Sequence, residues 1–312
     1  ILEGNYAFYT NSFNVRYKGD IMQVFGNWNI GLNAAIQGPQ YQRNFYGYGN
    51  DTRQQDGLDD SFYRVRFKRV NVGATLNNNL APFFKVGIGP TYDRFRVVNS
   101  EQETFLVTEA LNGRLEAGSY DFEENRFESQ HYVGLAAFAD LDVLGEGNLK
   151  NPRIGMRSHN RLSYNKQTDG EGLSYTHVSS EFIFYLTPNF PFQLTWAGRL
   201  GAAHNFGDFR FYQANTLGGM DNLRGYRRTR FAGRSYVFAN AEARLALFDF
   251  NLYITPGKLG VLGLYDVGRV YYDGDDRSGF FRSLHTGVGG GIWADIMNKN
   301  VVALTYAKGD VD

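Results

Sequence analysis

Apolar and polar residues alternate in about a dozen segments of the chain, which is the pattern of β-strands rather than helices. A period of two places successive side chains on opposite faces of a strand. The clearest segment covers residues 62–70, where apolar side chains (Tyr63, Val65, Phe67) alternate with cations (Arg64, Arg66, Lys68). No segment shows a convincing helical period. The sequence therefore predicts an all-β fold made of antiparallel strands.

The polar face of these segments is charged in one strand after another. The charges that the pattern assigns to this face are Arg64, Arg66, Lys68, Asp140, Asp142, Arg157, Arg161, Glu181, Arg199, Glu242 and Arg244. Two arrangements fit the alternation. A soluble sandwich or barrel would turn its apolar face inward, whereas a transmembrane barrel turns its apolar face to lipid and its charged face to a water-filled lumen.

The connections between segments favour the transmembrane barrel. Short turns are predicted at residues 77–79, 188–191 and 297–300, and they alternate with long loops at residues 38–58, 98–130 and 206–234. Outer-membrane barrels have short turns at one rim and long loops at the other. Strands of about 9–11 residues suffice to cross the membrane. We therefore predict a transmembrane antiparallel β-barrel with about 12 strands in this chain.

The predicted strand directions place both ends of the chain on the side of the long loops. The first predicted strand starts at about Asn11 and runs away from that side, and the last, at residues 301–308, runs towards it. A complete bacterial barrel has both ends in the periplasm. We therefore expect residues 1–312 to be one barrel domain that lacks strands at both ends and that is not accompanied by its periplasmic domain.

Composition removes several classes of function. The chain has 32 basic and 32 acidic residues, so its formal net charge of zero argues against a nucleic-acid partner. It contains no cysteine, which excludes disulfides and thiolate metal sites. No uninterrupted apolar run approaches the roughly 18 residues of a membrane helix. No signal peptide opens the sequence, as expected of a mature form or a fragment.

Local motifs for catalysis are absent from the sequence. It has no GxSxG nucleophile elbow, no HExxH zinc motif, no Walker loop and no dinucleotide fingerprint. Its five histidines lie in different segments without ligand spacing (His131, His159, His177, His204, His285). His159 and His177 are predicted to face the same side near Glu181, which leaves a metal or acid–base site there as an open alternative. We predict a non-enzymatic protein without cofactor or metal.

The most distinctive stretch is LGGMDNLRGYRR at residues 217–228, followed at residues 263–272 by the strand-like run GLYDVGRVYY. The glycines of the first stretch allow a tight loop that packs closely against a wall. In the second, Asp266 stands on the polar face of a predicted strand. An arginine on a tight loop and a lone acid on a nearby strand predict a charge-assisted pair, with Asp266 as the acid.

These two stretches, with NAEARL between them, resemble the carboxy-terminal barrel of the bacterial surface antigen family, the superfamily of BamA, TamA and the two-partner secretion transporters. The arginine–glycine–aromatic motif of the family's sixth outer loop is matched by Arg224, Gly225 and Tyr226. The motif of a following strand is matched by Asp266 and Gly268, and a glutamate on the intervening strand by Glu242. The tail at residues 285–309 is also similar to the family's penultimate strands.

The resemblance implies that the loop folds into the lumen, where Asp266 and Glu242 hold Arg224. It further implies a barrel of sixteen strands, of which this chain supplies a part, in the bacterial outer membrane. The run NFYGYGN at residues 44–50 is similar to barrels of Bacteroidota envelopes.

Three functions are compatible with this resemblance. The first is non-enzymatic insertion or translocation of other proteins at the outer membrane. Its implied partners are the lipid bilayer, lipopolysaccharide, nascent outer-membrane proteins and periplasmic or lipoprotein subunits. The second is a membrane anchor for an amino-terminal phosphoesterase or patatin-like hydrolase outside this chain. The third is a passive pore.

Overall fold

The computed structural model describes residues 1–52, 60–99, 106–111, 127–145, 147–148, 151–252, 255–273, 283–297 and 299–310. The strands in chain order are β1 (Leu2–Ala7), β2 (Ser12–Phe25), β3 (Trp28–Asn44), β4 (Arg64–Ala81), β5 (Phe84–Val97), β6 (Gln130–Leu144), β7 (Gly147–Asn148), β8 (Asn151–Pro152), β9 (Gly155–Gln167), β10 (Ser174–Leu186), β11 (Leu194–Gly207), β12 (Asn215–Leu217), β13 (Phe231–Gly233), β14 (Ser235–Leu252), β15 (Thr255–Tyr271), β16 (His285–Ile296) and β17 (Asn300–Gly309).

Thirteen of these strands form one antiparallel sheet in the order β1–β6, β9–β11 and β14–β17. Strands of this sheet therefore pair in the order in which they follow one another along the chain, as expected of an up-and-down barrel wall, and the short pairs β7–β8 and β12–β13 form two separate sheets. The predicted all-β antiparallel fold is confirmed. The expected count of about 12 strands falls one short of the sheet, because β1 precedes the first predicted strand.

In the part of the chain that the structure describes, helical structure is limited to short segments between strands. The helix α1 spans Leu106–Leu111, inside the predicted long loop at residues 98–130, and single 3₁₀ turns lie at Asp60–Tyr63 and Phe211–Gln213. Among the described residues, no helix is long and apolar enough to span a membrane.

The two faces of the sheet differ as the alternation predicted. Large apolar side chains are exposed on one face of strand after strand, for example Ile88, Leu135, Leu162, Phe182, Leu200, Tyr265 and Ile292. The opposite face carries ion pairs between neighbouring strands. Arg161 Nη2 lies 3.1 Å from Asp140 Oδ2, and Arg199 Nη2 lies 2.5 Å from Glu181 Oε2. An exposed apolar face with a charged opposite face is the arrangement of a barrel wall in lipid.

The prediction that Arg64, Arg66 and Lys68 lie on the charged inner face is wrong. In β4 these residues share a face with Val72 and Leu76, which belong to the exposed apolar side. The reason is that the loop end of β4 is covered from the inside. Val65 and Phe67 point inward and are buried there, so the cations occupy the outer face.

Two predicted turn positions are also wrong. Residues 77–79 lie within β4, and the turn follows at residues 82–83. The predicted long loop at residues 38–58 begins later, because β3 continues to Asn44. In both cases polar residues that signal turns in sequence are tolerated in a strand, because one face of that strand is itself polar.

The main apolar core lies at the end of the sheet that carries the long loops. It joins the inner faces of β4 and β5 to α1 and to the connections that follow β3 and β11. Its buried members are Phe45, Tyr46, Tyr63, Val65, Phe67, Phe95, Val97, Leu106, Val107, Ala214 and Ala232. Phe95 stacks on Tyr212 with ring centroids 3.8 Å apart. Here the inner face of the wall is apolar because loops cover it.

Leu200, at the middle of β11 on the exposed apolar face, provides a test of the membrane-facing side. We expect Leu200→Arg to destabilise the barrel by about 2–4 kcal/mol, because a cation at the bilayer midplane loses its hydration. Leu200→Phe keeps the position apolar and should leave stability nearly unchanged. Urea unfolding in lipid vesicles measures both. Equal stability of the two variants would show that this face does not meet lipid.

Candidate functional site

The connection from β11 to β14, residues 208–234, is the longest described segment that packs on the charged face of the sheet. We call it the β11–β14 loop. Its arms pair as the short strands β12 and β13, and its tip covers residues 217–228. At the tip Gly218, Gly219 and Gly225 adopt left-handed backbone angles, with φ of 124°, 83° and 94°. The Gly219 amide donates to the Tyr226 carbonyl at 3.0 Å and closes the tip into a compact turn.

Arg224 extends from this tip to two carboxylates of the wall. Its Nε donates to Asp266 Oδ2 at 2.7 Å and its Nη2 to Asp266 Oδ1 at 2.6 Å, which makes a bidentate pair. Its backbone N–H also donates to Asp266 Oδ2, at 2.9 Å, and its Nη1 donates to Glu242. The Asp266 side chain is fully buried, and the side chains of Arg224 and Glu242 are 16% and 17% exposed. These charge-assisted bonds are therefore largely removed from water.

Further polar contacts attach the tip to β11 and β14. Arg244 Nη2 lies 2.5 Å from Glu242 Oε2, so the glutamate is shared between two arginines. Asn240 Nδ2 donates to the Asn222 carbonyl at 2.8 Å. Arg199, which pairs with Glu181, also donates to the carbonyl of Asp221. The tip thus meets the charged face at several points along its length.

The two residues after Arg224 contact β17 and the residue that follows it. A Cβ at Gly225 would lie 2.6 Å from Gly309 N, so only glycine permits this approach. The Tyr226 hydroxyl donates to Asp310, and the Asp310 backbone N–H donates to the Tyr226 hydroxyl oxygen at 3.1 Å. Asp310 also accepts from Thr286 Oγ1 at 3.1 Å, which connects the contact to β16.

Gly268 lies under the arm of the loop rather than beside Arg224. A Cβ there would be 3.0 Å from both Leu217 Cδ1 and the Val237 carbonyl, tighter than most real contacts. Leu217 belongs to a second buried cluster, with Leu223, Tyr226, Phe231, Phe238 and Val270. The six residues singled out from the sequence therefore lie around one loop, with three in direct ionic contact and three shaping its approach.

Gly287 and Asp310 also contact the loop, but no motif in the sequence pointed to either residue. Gly287 pairs with Asp266 in the sheet, and a Cβ on it would lie 1.9 Å from the Arg224 carbonyl. It stands in the glycine-rich run of β16, where nothing local distinguishes it from Gly289 or Gly290. Asp310 follows the last strand, and nothing in the sequence distinguishes it from any other polar residue after a strand.

Known proteins resemble this chain in sequence family and in fold. The Omp85 superfamily domain matches residues 9–295, nearly the whole chain. The chain belongs to the Omp85 superfamily. Among curated proteins, none is significantly similar in sequence to it. Its fold is similar to the crystal structure of BamA from Haemophilus ducreyi lacking POTRA domains 1–3, with a TM-score of 0.64 and 15% identity, over 96% of this chain and 59% of that chain.

Membership in the Omp85 superfamily places this transmembrane β-barrel in the bacterial outer membrane. The family resemblance inferred from the loop and strand motifs is confirmed. The chain spans 59% of the BamA chain that it matches. The relation to Bacteroidota envelopes, inferred from residues 44–50, stays a prediction.

Three histidines of this Omp85 barrel each contact a different partner. His159 and Glu181 are directly opposite on neighbouring strands, as the sequence suggested, but His159 Nδ1 bonds to Asp140 at 3.1 Å. His177 Nδ1 bonds instead to Asn205 at 2.8 Å. His285 stacks on Phe231 with centroids 3.7 Å apart. Within the described residues, no group of three or more histidine or acidic side chains could hold a metal ion.

Removing the Tyr226 hydroxyl tests the contact with β17 in this Omp85 barrel. We expect Tyr226→Phe to cost about 1–3 kcal/mol, since the hydroxyl's bond to the Asp310 carboxylate and the bond it accepts from the Asp310 N–H are both lost while the ring still packs against Phe231. Hydrogen exchange at the β17 amides should become faster. Tyr306→Phe is the matched control, because Tyr306 is 76% exposed on the apolar face. Equal exchange in both variants would contradict a role for the hydroxyl.

Proposed function

We propose that this chain is the membrane barrel of an Omp85 factor that inserts or translocates other proteins at the outer membrane. In this proposal the β11–β14 loop is folded into the lumen and locked there by Arg224. The observation that supports it is the set of four donor contacts from Arg224 to Asp266 and Glu242. The mechanism is non-enzymatic: the loop and the barrel wall, and not a catalytic group, carry out the insertion or translocation.

The loop reaches wall strands on both of its sides, which suits a lock. On one side lie Asp266 and Glu242 of β15 and β14. On the other, Thr229 Oγ1 donates to the Asn44 carbonyl at 2.7 Å, and Arg43 Nη1 of β3 donates to the Tyr212 carbonyl at 3.2 Å. Because a buried arginine without its acids costs about 3–5 kcal/mol, the loop and these strands are expected to act as a unit.

The partners proposed for this function follow from the apolar outer face and from the family. They are the lipid bilayer with its lipopolysaccharide, nascent outer-membrane proteins, and periplasmic or lipoprotein subunits. Residues 1–312 supply the barrel domain in this assignment.

Depleting the native full-length protein in its own cells tests the proposed function. We expect the amounts of other outer-membrane proteins to fall while lipoprotein levels hold, as measured by quantitative proteomics of isolated outer membranes. A normal outer-membrane proteome with loss of a phosphoesterase or lipase activity would indicate an enzyme anchor instead. A normal proteome with reduced entry of small solutes would indicate a passive pore. Either of the last two results would overturn the proposal.

A further inference from the structure

Four arginines surround one cavity on the side of the β11–β14 loop that faces away from Asp266. Three come from consecutive wall strands, Arg16 of β2, Arg43 of β3 and Arg69 of β4, and the fourth, Arg228, comes from the loop tip. The cavity measures about 370 Å³, and Tyr41 and Phe67 also line it. We call it the basic cavity.

Positive charge in the basic cavity exceeds the negative charge available to it. Arg69 is paired with Asp93, Nη2 to Oδ2 at 2.5 Å, and Arg228 faces Asp221, Nε to Oδ2 at 3.5 Å. In the part of the chain that the structure describes, no carboxylate lies within ion-pair distance of Arg16 or Arg43. Within the described ranges, two of the four guanidinium groups therefore have no carboxylate partner.

Arg43 is partly buried and contacts the β11–β14 loop directly. Its polar contacts are two long hydrogen bonds to neutral groups of the β11–β14 loop, Nη1 to the Tyr212 carbonyl at 3.2 Å and Nη2 to Thr216 Oγ1 at 3.3 Å. Arg69 and Arg228, which carry the same charge, line the same cavity. A partly buried guanidinium with like charges around it and only neutral acceptors is unfavourable unless an anion joins them.

We propose that the basic cavity binds a phosphomonoester group. A phosphomonoester carries a charge of about −1.5 to −2 at neutral pH, which matches the two uncompensated arginines, and it offers three acceptor oxygens to planar guanidinium forks. A single carboxylate would leave one cation unpaired. The volume admits a sugar-sized substituent beside the phosphate, and aromatic side chains line the wall next to it.

A bound phosphomonoester connects the loop tip to the wall opposite Arg224. Arg228 would meet it from the loop, and Arg43 and Arg16 from β3 and β2. The tip is then held on both sides. On one side the carboxylates of the wall bind Arg224, and on the other a bound anion connects Arg228 to the arginines of β2 and β3. Occupancy of the cavity would thereby stabilise the inward position of the loop.

Titration of the folded protein in detergent with glucose 1-phosphate and with inorganic phosphate, followed by calorimetry in 0.15 M salt, tests the site. We expect saturable binding at one site, weakened by about tenfold or more in Arg43→Gln and in Arg228→Gln, because each removes a charge-assisted contact. Arg161→Gln is the matched control, since Arg161 lies on the same face but is paired with Asp140. Its affinity should stay within about twofold of wild type.

Three results would overturn the site: no saturable binding, equal weakening by Arg161→Gln and Arg43→Gln, or unchanged binding in Arg228→Gln. If Arg43→Gln fails to fold, the Arg228→Gln variant alone tests the site. It is expected to fold, because the Arg228 side chain is 68% exposed and contributes little to stability. Vesicles of phosphatidylcholine with and without phosphatidic acid identify the source of the group. If phosphatidic acid competes with glucose 1-phosphate for the cavity, the natural ligand is a lipid headgroup. If glucose 1-phosphate binds and phosphatidic acid does not compete with it, the natural ligand is soluble.

Discussion

Arg224→Glu is expected to lower the stability of the barrel by about 3–5 kcal/mol, because the change removes the partner of buried carboxylates and adds a third one beside them. Asp266 has no exposed side-chain surface from which to recover hydration. The temperature at which the unboiled protein changes from its compact to its unfolded migration in gel electrophoresis should fall clearly. We also expect the variant to fail in restoring outer-membrane protein levels in depleted cells.

The matched control for this change is Arg161→Glu. It reverses a charge on the same face and also faces a carboxylate, Asp140, but the Arg161 side chain is 45% exposed. Water and salt screen such a pair, so the cost should be about 1 kcal/mol or less. If the Arg224→Glu protein has the migration and activity of wild type, the proposal that Arg224 locks the loop is contradicted. Equal losses in both variants would show that the lumen tolerates no charge reversal anywhere.

Gly287→Ala is expected to displace the loop without touching any charged group. The added Cβ would start 1.9 Å from the Arg224 carbonyl, so the tip must move away from β16. Such overpacking costs about 1–3 kcal/mol. The melting temperature should fall, and hydrogen exchange at the amides of residues 217–228 should become faster than in wild type.

Gly263→Ala provides the comparison for this prediction. Gly263 lies in the neighbouring strand β15, and a Cβ there meets no atom within 4 Å. Alanine should be neutral or slightly stabilising at this position, because it loses less backbone entropy on folding. If both alanine variants behave alike, the loop does not rest on β16 at Gly287.

The wall of this barrel could be predicted from the sequence because its strands obey one rule from end to end. Lipid on one side and charge on the other enforce a period of two, and this rule located Leu200 outside and Arg199 inside correctly. The rule failed for Arg64, Arg66 and Lys68. The loop end of β4 is buried by other loops, a long-range contact that a local pattern does not contain.

The candidate site was predictable only in part. Sequence motifs pointed to Arg224, Asp266 and Glu242. Their charges, and the strand face to which the alternation assigns the two acids, are compatible with the contacts in the structure. Gly287, Asp310 and the basic cavity were not visible, since each depends on which strands the loop touches after folding. Arg16, Arg43 and Arg228 are separated by long stretches of sequence and meet only through the sheet and the loop.

The most direct test of the inward loop is chemical crosslinking in native outer membranes. Residues 1–312 contain no cysteine, so the introduced thiols are the only ones in this stretch of the barrel. Met220 of the loop tip and Ile183 of β10 line one cavity on the charged face, whereas Phe184 points to the apolar side. With a short bifunctional thiol reagent, we predict that the pair Met220→Cys and Ile183→Cys crosslinks, and that Met220→Cys with Phe184→Cys does not. A crosslink in the second pair, or in neither, would contradict a loop held inside the barrel.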